Sequence, residues 1–177
     1  MSQSATLYRV SQEIFEELSK SDNKQKFNIN SVKSYSIFQG SFMGLEYILS
    51  KGQDNSTIEL VSEIFNPKEA LGRHEFEKLK PEEQFKFYES GLLIPYLPTS
   101  TITRLNDFLS KIPESNIRLK YDSNELNDNG IYPEVWQNDN SPDLAFNEQH
   151  IVKDFRELKK IIKQANTECD YIFVFIG

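Results

Sequence analysis

Most hydrophobic residues of this chain recur every three or four positions, which is the spacing of one face of an α-helix. Four of them predict a helix over residues 38–49, and Gly52 is placed to end it. Gly40 and Gly44 lie four residues apart on another face of that helix, where they favour the close approach of a neighbouring element. The same apolar spacing predicts further helices at residues 11–18, 57–65 and 100–112.

The C-terminal part of the chain predicts a long helix. Ser141 supplies a capping hydroxyl, Pro142 suits the first helical position, and Asp143 favours the positive end of the helix dipole. Apolar residues then continue at helical spacing. We therefore expect a helix that runs from this signal to about residue 166.

Runs of β-branched and aromatic residues predict strands. Residues 171–176 form such a run without alternation, which is typical of a strand covered on both faces. Shorter strands are predicted at residues 7–10, 85–88 and 92–96, the last two around a turn. We therefore expect an α/β fold of the α+β type, with amphipathic helices packed on a mixed sheet whose central strand is the C-terminal one. At this chain length we expect residues 1–177 to form a single compact domain.

The charge balance excludes one large class of function. The chain has 20 basic and 27 acidic residues, which gives a formal net charge of −7. Because sequence-independent binding to nucleic acid depends on Lys and Arg at the phosphates, we expect no nucleic-acid partner. Cys169 is the only cysteine, so the sequence allows neither an intrachain disulfide nor a cysteine-rich zinc site.

The N-terminal residues and the apolar runs predict the compartment. Residues 1–11 contain no basic stretch followed by an apolar one, so no secretory signal is predicted. The longest apolar run, residues 171–176, is far shorter than the ~20 residues that span a bilayer. Together with a single free thiol, these features favour a cytoplasmic protein without a membrane partner.

No sequence motif points to catalysis. The chain contains no nucleophile elbow, no phosphate-binding loop and no dinucleotide-binding glycine pattern. His74 and His150 are the only histidines, and neither lies in a pattern that supplies the three or four ligands of a metal site. We expect both at the surface, and we predict no catalytic residue, no metal and no cofactor. Paired carboxylates of the glycosidase type stay an open alternative in a chain with 27 acidic residues.

Residues 116–133 form a long connection rich in Asn and Asp, and residues 130–136 are the most informative stretch of the chain. Two aromatic rings, a proline and a carboxylate could there form the centre of a binding surface. The alternative is that Tyr132 and Trp136 fill the core, since aromatic rings are large hydrophobes, and that the Asp side chains serve turns and caps. The predicted partner-binding residues are Asp122, Asp128, Tyr132, Glu134, Trp136, Asp139 and Asp143.

Three segments carry a resemblance to a known family. They are residues 8–11 (YRVS) ahead of an acidic helix, residues 42–52 (FMGLEYILSKG), and the stretch from Tyr121 through residues 130–136 (GIYPEVW) to the closing helix and strand. In this order they resemble the YfbM-like family of small bacterial proteins, which has no assigned function. The resemblance implies a compact single-domain α/β protein and supplies no activity. It also raises the possibility of an immunity protein, a small cytoplasmic partner that neutralises a toxin.

We therefore interpret the chain as a non-enzymatic binding protein of immunity type whose partner is a cationic protein toxin. A net charge of −7 would steer a basic partner, and the chain has no catalytic set. The alternative is an enzyme or small-ligand-binding protein with a pocket near residues 130–136. The sequence does not predict an oligomeric state, and a homo-oligomer with a structural role is a third hypothesis.

Overall fold

The computed structural model describes residues 3–20 and 27–177, which form five strands and nine α-helices. The strands are β1 (Ser4–Val10), β2 (Ser34–Gln39), β3 (Glu69–Leu71), β4 (Ile94–Leu97) and β5 (Tyr171–Ile176). The helices are α1 (Gln12–Lys20), α2 (Phe42–Ser50), α3 (Asn55–Ser62), α4 (Arg73–Lys78), α5 (Pro81–Glu89), α6 (Thr99–Ser110), α7 (Glu114–Lys120), α8 (Ser123–Asp128) and α9 (Glu148–Glu168).

The strands form one sheet in the order β2-β1-β5-β4-β3. β5 lies at the centre, as its unbroken apolar sequence predicts. Its Ile172 and Val174 contact the core on one face of the sheet, and its Phe173 contacts the core on the other face. The predicted α/β class, with the C-terminal strand central and helices packed on the sheet, is confirmed. All four strand pairings are antiparallel, where a mixed sheet was expected.

The two faces of the sheet are covered unequally. On one face, α9 packs with α2, α3, α6 and α7 over a large apolar core. On the other face, α1 covers the aromatic residues of the central strands, and Phe15 stacks on Tyr171 with ring centroids 3.6 Å apart. The part of this second face at β2 stays open, because Tyr35 is 58% exposed and Ile37 is 49% exposed.

The predicted helix over residues 38–49 is wrong in its first turn. Phe38 belongs to β2, where it is fully buried between two exposed neighbours in sequence. Gly40 then has a φ of +71°, a left-handed conformation that glycine adopts easily, and α2 begins only at Phe42. Gly52, with a φ of +74°, follows the end of α2 as predicted.

The predicted strand at residues 85–88 is also wrong, because these residues lie in α5. Pro81 occupies the first turn of this helix, and the Glu83 carboxylate accepts a hydrogen bond from the backbone N–H of Lys80 at 3.1 Å. These two features stabilise the beginning of a helix. Their effect outweighs the β propensity of the aromatic residues that follow. The strand predicted at residues 92–96 is confirmed as β4.

The long C-terminal helix is confirmed, but it begins later than its capping signal predicts. Asn147 is the N-cap of α9, and its side-chain oxygen accepts a hydrogen bond from the backbone N–H of His150 at 3.0 Å. Ser141 and Asp143 lie in the preceding loop, and Leu144 is 38% exposed. Within the part of the chain that the structure describes, no helix is long and apolar enough to cross a membrane.

An ion-pair network fixes the C-terminal end of α9 to the sheet. Lys33 Nζ donates to Asp170 at 2.8 Å and to Glu168 at 2.9 Å. Arg9 donates to Glu168 at 2.9 Å and lies 3.6 Å from Asp170. The pKa of Glu168 is lowered, first by the hydrogen bond from Lys33 and then by that from Arg9. Lys33 immediately precedes β2, so the C-terminal end of α9 lies beside the beginning of β2.

Candidate functional site

Residues 121–147, called the acidic segment below, have an unusual charge composition. They contain six carboxylates and no Lys, Arg or His. The segment consists of α8 followed by a long loop that ends at the N-cap of α9. Its conformation therefore decides where these carboxylates are presented.

Trp136 anchors the acidic segment in the core. The side chain is 4% exposed and packs so closely on α2 that a Cβ at Gly44 would overlap its ring. The indole Nε1–H donates to the Ile131 carbonyl at 2.8 Å. The Asn127 side chain accepts from the Trp136 backbone N–H at 2.9 Å and donates to its carbonyl at 3.0 Å. All polar groups of this buried residue are thus satisfied, as buried polar groups generally are.

Further hydrogen bonds tie the two ends of the loop together. The Tyr121 hydroxyl donates to the Gln137 carbonyl at 2.7 Å, and burial raises the pKa of Tyr121 to about 12. The Gln137 backbone N–H donates to the Phe146 carbonyl at 2.9 Å. The Asn147 side chain, which is 1% exposed, donates to the carbonyls of Asp139 and Ser141, both at 2.9 Å. The loop therefore has one well-defined shape.

The structure separates the predicted aromatic residues from the predicted acidic ones. Trp136 belongs to the core, which agrees with the alternative that its ring fills the core and not with an accessible ring in a binding surface. Tyr132 is half-buried, and its hydroxyl accepts a hydrogen bond from the backbone N–H of Gln3 at 3.0 Å. The acidic residues Asp122, Asp128, Glu134, Asp139 and Asp143 are all exposed.

Two of these acidic residues have local structural roles. Asp122 is the N-cap of α8 and accepts from the backbone N–H groups of Asn124 and Glu125, at 2.9 and 3.2 Å. Asp139 accepts from the backbone N–H of Ser141 at 2.9 Å. Such bonds are the turn and capping roles that Asp side chains commonly have.

Three carboxylates of the acidic segment are left without a partner. The side chains of Asp128, Glu134 and Asp143 make no hydrogen bond or ion pair within residues 3–20 and 27–177. Glu125, by contrast, is bound by Lys51 and by the Tyr47 hydroxyl, and the hydrogen bond from Lys51 is the main cause of its lowered pKa. The segment therefore presents negative charge that no described residue of the chain neutralises.

A groove of about 500 Å³ lies between the acidic segment and the N-terminal end of α9. Gln39, Asp143, His150 and Lys153 are among the residues that line it. This groove is not lined by residues 130–136, so a pocket near those residues stays a prediction.

Three polar side chains, one near the beginning of α2 and two on α9, meet beside this groove. The buried hydroxyl of Ser41 donates to the Asp154 carboxylate, which is 5% exposed. His150 Nε2 lies 3.7 Å from the same carboxylate, and His150 Nδ1 accepts from the backbone N–H of Phe146 at 3.0 Å. Burial is the main cause of the raised pKa of Asp154, and the Ser41 hydroxyl opposes it.

This cluster does not have the geometry of a nucleophilic triad. Ser41 is fully buried, and its hydroxyl is used by Asp154 rather than by the imidazole. No local sequence pattern predicts the cluster, since 113 positions separate Ser41 from Asp154. The one usable signal was the spacing of four between His150 and Asp154, which puts both on one face of α9. His150, expected at the surface, is half-buried.

No group of three or more His, Cys, Asp or Glu side chains is placed to hold a metal ion in the described ranges, residues 3–20 and 27–177. His74 is exposed on α4, and Cys169 is exposed at the C-terminal cap of α9. The arrangement that stands out is therefore a rigid acidic surface with a polar groove beside it.

Comparisons with known proteins agree with this fold. No curated protein sequence matches the chain. The crystal structure of a protein of unknown function, YfbM from Escherichia coli, is similar with a TM-score of 0.59 and 12% sequence identity, and the match covers 100% of each chain. At this identity the likeness concerns the fold alone. The family described as a domain of unknown function (DUF1877) matches residues 1–175, which confirms the YfbM-like resemblance. The chain therefore belongs to the DUF1877 family.

Proposed function

We propose that this protein acts by binding another protein, and that it is of immunity type and neutralises a basic toxin. The observation that supports the proposal is the set of three carboxylates, Asp128, Glu134 and Asp143, which have no partner among the described residues and lie in α8 and the loop that Trp136 anchors. A cationic surface of the toxin would supply the charges that these residues lack. The cytoplasmic location of such a protein stays a prediction.

The rigidity of the loop supports binding rather than a purely solubilising role. Ordering a flexible loop costs free energy during association, about 0.5–1.5 kcal/mol for each immobilised rotamer-rich side chain. Trp136 and its hydrogen bonds to Asn127 and Ile131 hold the loop in place before any partner arrives. A partner would therefore meet the carboxylates at fixed positions.

The net charge of −7 supports fast association with a basic partner. Complementary charge speeds the diffusional encounter, and salt screens it with a Debye length of about 8 Å at physiological ionic strength. We therefore expect the association rate to fall as salt is added. Binding that is insensitive to salt would contradict this account.

Co-expression tests the proposal directly. The product of the neighbouring gene is induced with and without this protein, and growth and co-purification are measured. We expect the protein to relieve toxicity and to co-purify with its partner. Absence of both effects would overturn the immunity proposal.

A variant with Asp128→Asn, Glu134→Gln and Asp143→Asn then tests the surface. We expect its association with the partner to slow by at least about tenfold, since exposed charges act mainly on the association rate. The matched control is Glu13→Gln, Glu75→Gln and Glu77→Gln, which removes the same charge from exposed positions on α1 and α4. Equal slowing in both variants would show that net charge alone matters.

The groove beside α9 supports a second candidate, a protein that binds a small molecule. A buried carboxylate, Asp154, lies close to a concave surface that includes His150 and Lys153. Such sites combine a concavity with a few convergent polar groups. In a thermal-shift screen of metabolites, a ligand at about 100 times its Kd adds about 2.7 kcal/mol of stability. We expect that shift to weaken in Lys153→Ala, and silence across the panel would contradict this candidate.

A further inference from the structure

We propose that β2 pairs with β2 of a second copy of this chain, so that the protein is a two-fold symmetric dimer with one continuous sheet. β2 is an edge of the sheet, and β1 is its only strand partner within the described residues. An edge strand presents a row of free N–H and C=O groups, which proteins either protect or pair. This inference is independent of the proposed partner-binding function.

The hydrogen bonds of β1 show which groups of β2 are free. Ser4 and Gly177 exchange both of their backbone hydrogen bonds, at 2.6 and 3.0 Å. The backbone N–H and C=O groups of even-numbered β1 residues therefore bond to β5, and those of odd-numbered β1 residues bond to β2. In the observed register, the N–H and C=O groups of Tyr35, Ile37 and Gln39 point away from the sheet. They have no hydrogen-bond partner in the part of the chain that the structure describes.

The β2 edge lacks two common protections against pairing. Residues 34–39 (SYSIFQ) contain no charged residue and no proline. The exposed side chains of Tyr35 and Ile37 place an apolar strip beside the free backbone groups. The other edge of the sheet differs, since β3 has only three residues and begins with Glu69. The sheet thus has one protected edge and one edge that is open to docking.

A second copy fits this edge because β2 is complementary to itself. In an antiparallel pair centred on Ile37, each Ile37 faces its own counterpart, and Tyr35 faces Gln39 of the second copy. The two Ile37 residues then exchange both backbone hydrogen bonds, since these groups point outward. Apolar side chains meet at the centre and no like charges oppose each other, which is the condition for a stable cross-strand pair.

The charges at the two ends of β2 do not oppose this arrangement. Lys33, at the beginning of β2, binds Glu168 near the C-terminal end of α9. Gln39, at the end of β2, lines a groove with Lys153 near the N-terminal end of that helix. Because the paired strands run in opposite directions, Lys153 of one copy comes to the end of the interface at which Glu168 of the second copy lies. Glu168 and Asp170 are already paired there with Lys33 and Arg9, so this end carries no net charge that would oppose the pairing. A charged peptide, in contrast, would find no charge on β2 to recognise.

Light scattering coupled to size-exclusion chromatography tests the proposal. We expect the full chain to elute as a species of twice the 20.6 kDa monomer mass. In Ile37→Lys, two like charges would face each other at the centre of the interface, so dimerisation should weaken by at least about tenfold. Leu119→Lys is the matched control, because Leu119 is 83% exposed on α7, away from β2. This variant should stay dimeric.

A charge-swap experiment separates loss of the interface from loss of folding. Ile37→Lys and Ile37→Glu are expected to be monomeric alone and to form a heterodimer when mixed, because the centred register places Lys opposite Glu. Amide hydrogen exchange should show protection of Tyr35, Ile37 and Gln39 in the wild type and its loss in Ile37→Lys. A wild type that is still monomeric at about 100 μM would overturn the proposal. A mixture of Ile37→Lys and Ile37→Glu that does not associate would also overturn it.

Discussion

The indole ring of Trp136 lies directly on the backbone of α2 at Gly44, where a Cβ would overlap the ring. Gly44→Ala therefore sets two effects against each other. Alanine gains up to about 1 kcal/mol of helix propensity over glycine, whereas overpacking a core costs typically about 1–3 kcal/mol. We expect net destabilisation, because the backbone of Trp136 is held by two hydrogen bonds with the Asn127 side chain and its indole by one to the Ile131 carbonyl.

Denaturant unfolding, monitored by tryptophan fluorescence, measures this effect. Trp136 is the only tryptophan, so its emission reports its own environment and should shift to longer wavelength if the ring is displaced. Ser50→Ala, at the last position of the same helix, serves as the control and should stay within about 0.5 kcal/mol of the wild type. A more stable Gly44→Ala variant would show that the ring does not occupy this position.

Asn127 is the second determinant of the loop. Asn127→Ala removes both side-chain bonds to the Trp136 backbone, and it leaves a partly buried N–H and C=O without their partner. We expect a loss of about 1–3 kcal/mol in the free energy of unfolding. Asn129→Ala is the matched control, because its one bond, to the Glu125 carbonyl at 2.8 Å, is exposed to water. Equal losses in the two variants would contradict the anchoring role of Asn127.

The raised pKa of Asp154 predicts a pH dependence with a definite sign. Burial disfavours the charged carboxylate, so between the unfolded and the folded pKa the folded state binds more protons than the unfolded state. The contribution of Asp154 to stability is therefore present at low pH and falls as pH rises through the folded pKa, starting from about pH 4. Asp154→Asn does not titrate and keeps an oxygen that can accept from Ser41.

Urea unfolding of the wild type and of Asp154→Asn at about pH 4, 5, 6 and 7 checks this prediction. These pH values cover roughly the range in which carboxyl groups titrate in proteins. The stability of Asp154→Asn relative to the wild type should increase with pH. A difference that is constant, or that decreases, would show that Asp154 has no raised pKa.

Asp170 and Glu168 bind the same two cations but differ in burial, which makes them a natural comparison. The Asp170 side chain is 2% exposed and the Glu168 side chain is 48% exposed. Asp170→Asn would leave the buried Arg9 with an incomplete set of partners, and removal of one member of a buried ion pair costs about 3–5 kcal/mol. Glu168→Gln should cost much less, because water screens the exposed pair. Thermal unfolding of the two variants distinguishes them, and a larger loss for Glu168→Gln would contradict this reasoning.

The elements that the sequence predicts correctly are those whose local pattern agrees with their tertiary surroundings. β5 is an example, since an unbroken apolar run requires cover on both faces and the sheet supplies it. The close approach predicted at a helix face is found at Gly44, where the Trp136 ring lies on α2, whereas Gly40 precedes α2 and lies beside the Phe146 ring.

β2 could not be predicted because its residues fit a helical period as well. Phe38 lies four residues before Phe42, so the two combine into one apparent helical face. Residues 34–37 do alternate polar and apolar, but the apolar Tyr35 and Ile37 are exposed while Ser36 is buried, so the alternation indicates the wrong face. Phe38, directly after Ile37, then breaks it. A sequence pattern that assigns apolar residues to the buried face of a strand cannot identify a strand whose apolar side chains face solvent.

The candidate site shows the same limit. Composition alone identifies the acidic segment, and its carboxylates are exposed as charged side chains usually are. Whether Trp136 faces inward depends on the space left at Gly44, 92 positions away by residue number, and no local pattern encodes that contact. The meeting of Ser41 with Asp154 is of the same kind.

The central position of β5 has a consequence for the order in which the fold can assemble during synthesis. The sheet contains two strand pairs that come before β5 in the chain, β1 with β2 and β3 with β4. Each pair can form as soon as both of its strands have left the ribosome. Only β5 joins the two pairs, and its residues are translated after all the others in the sheet. Until residues 171–176 emerge, the nascent chain exposes two separate hairpin-like halves with unsatisfied inner edges. A chaperone that recognises unpaired strands would find its binding sites in this interval.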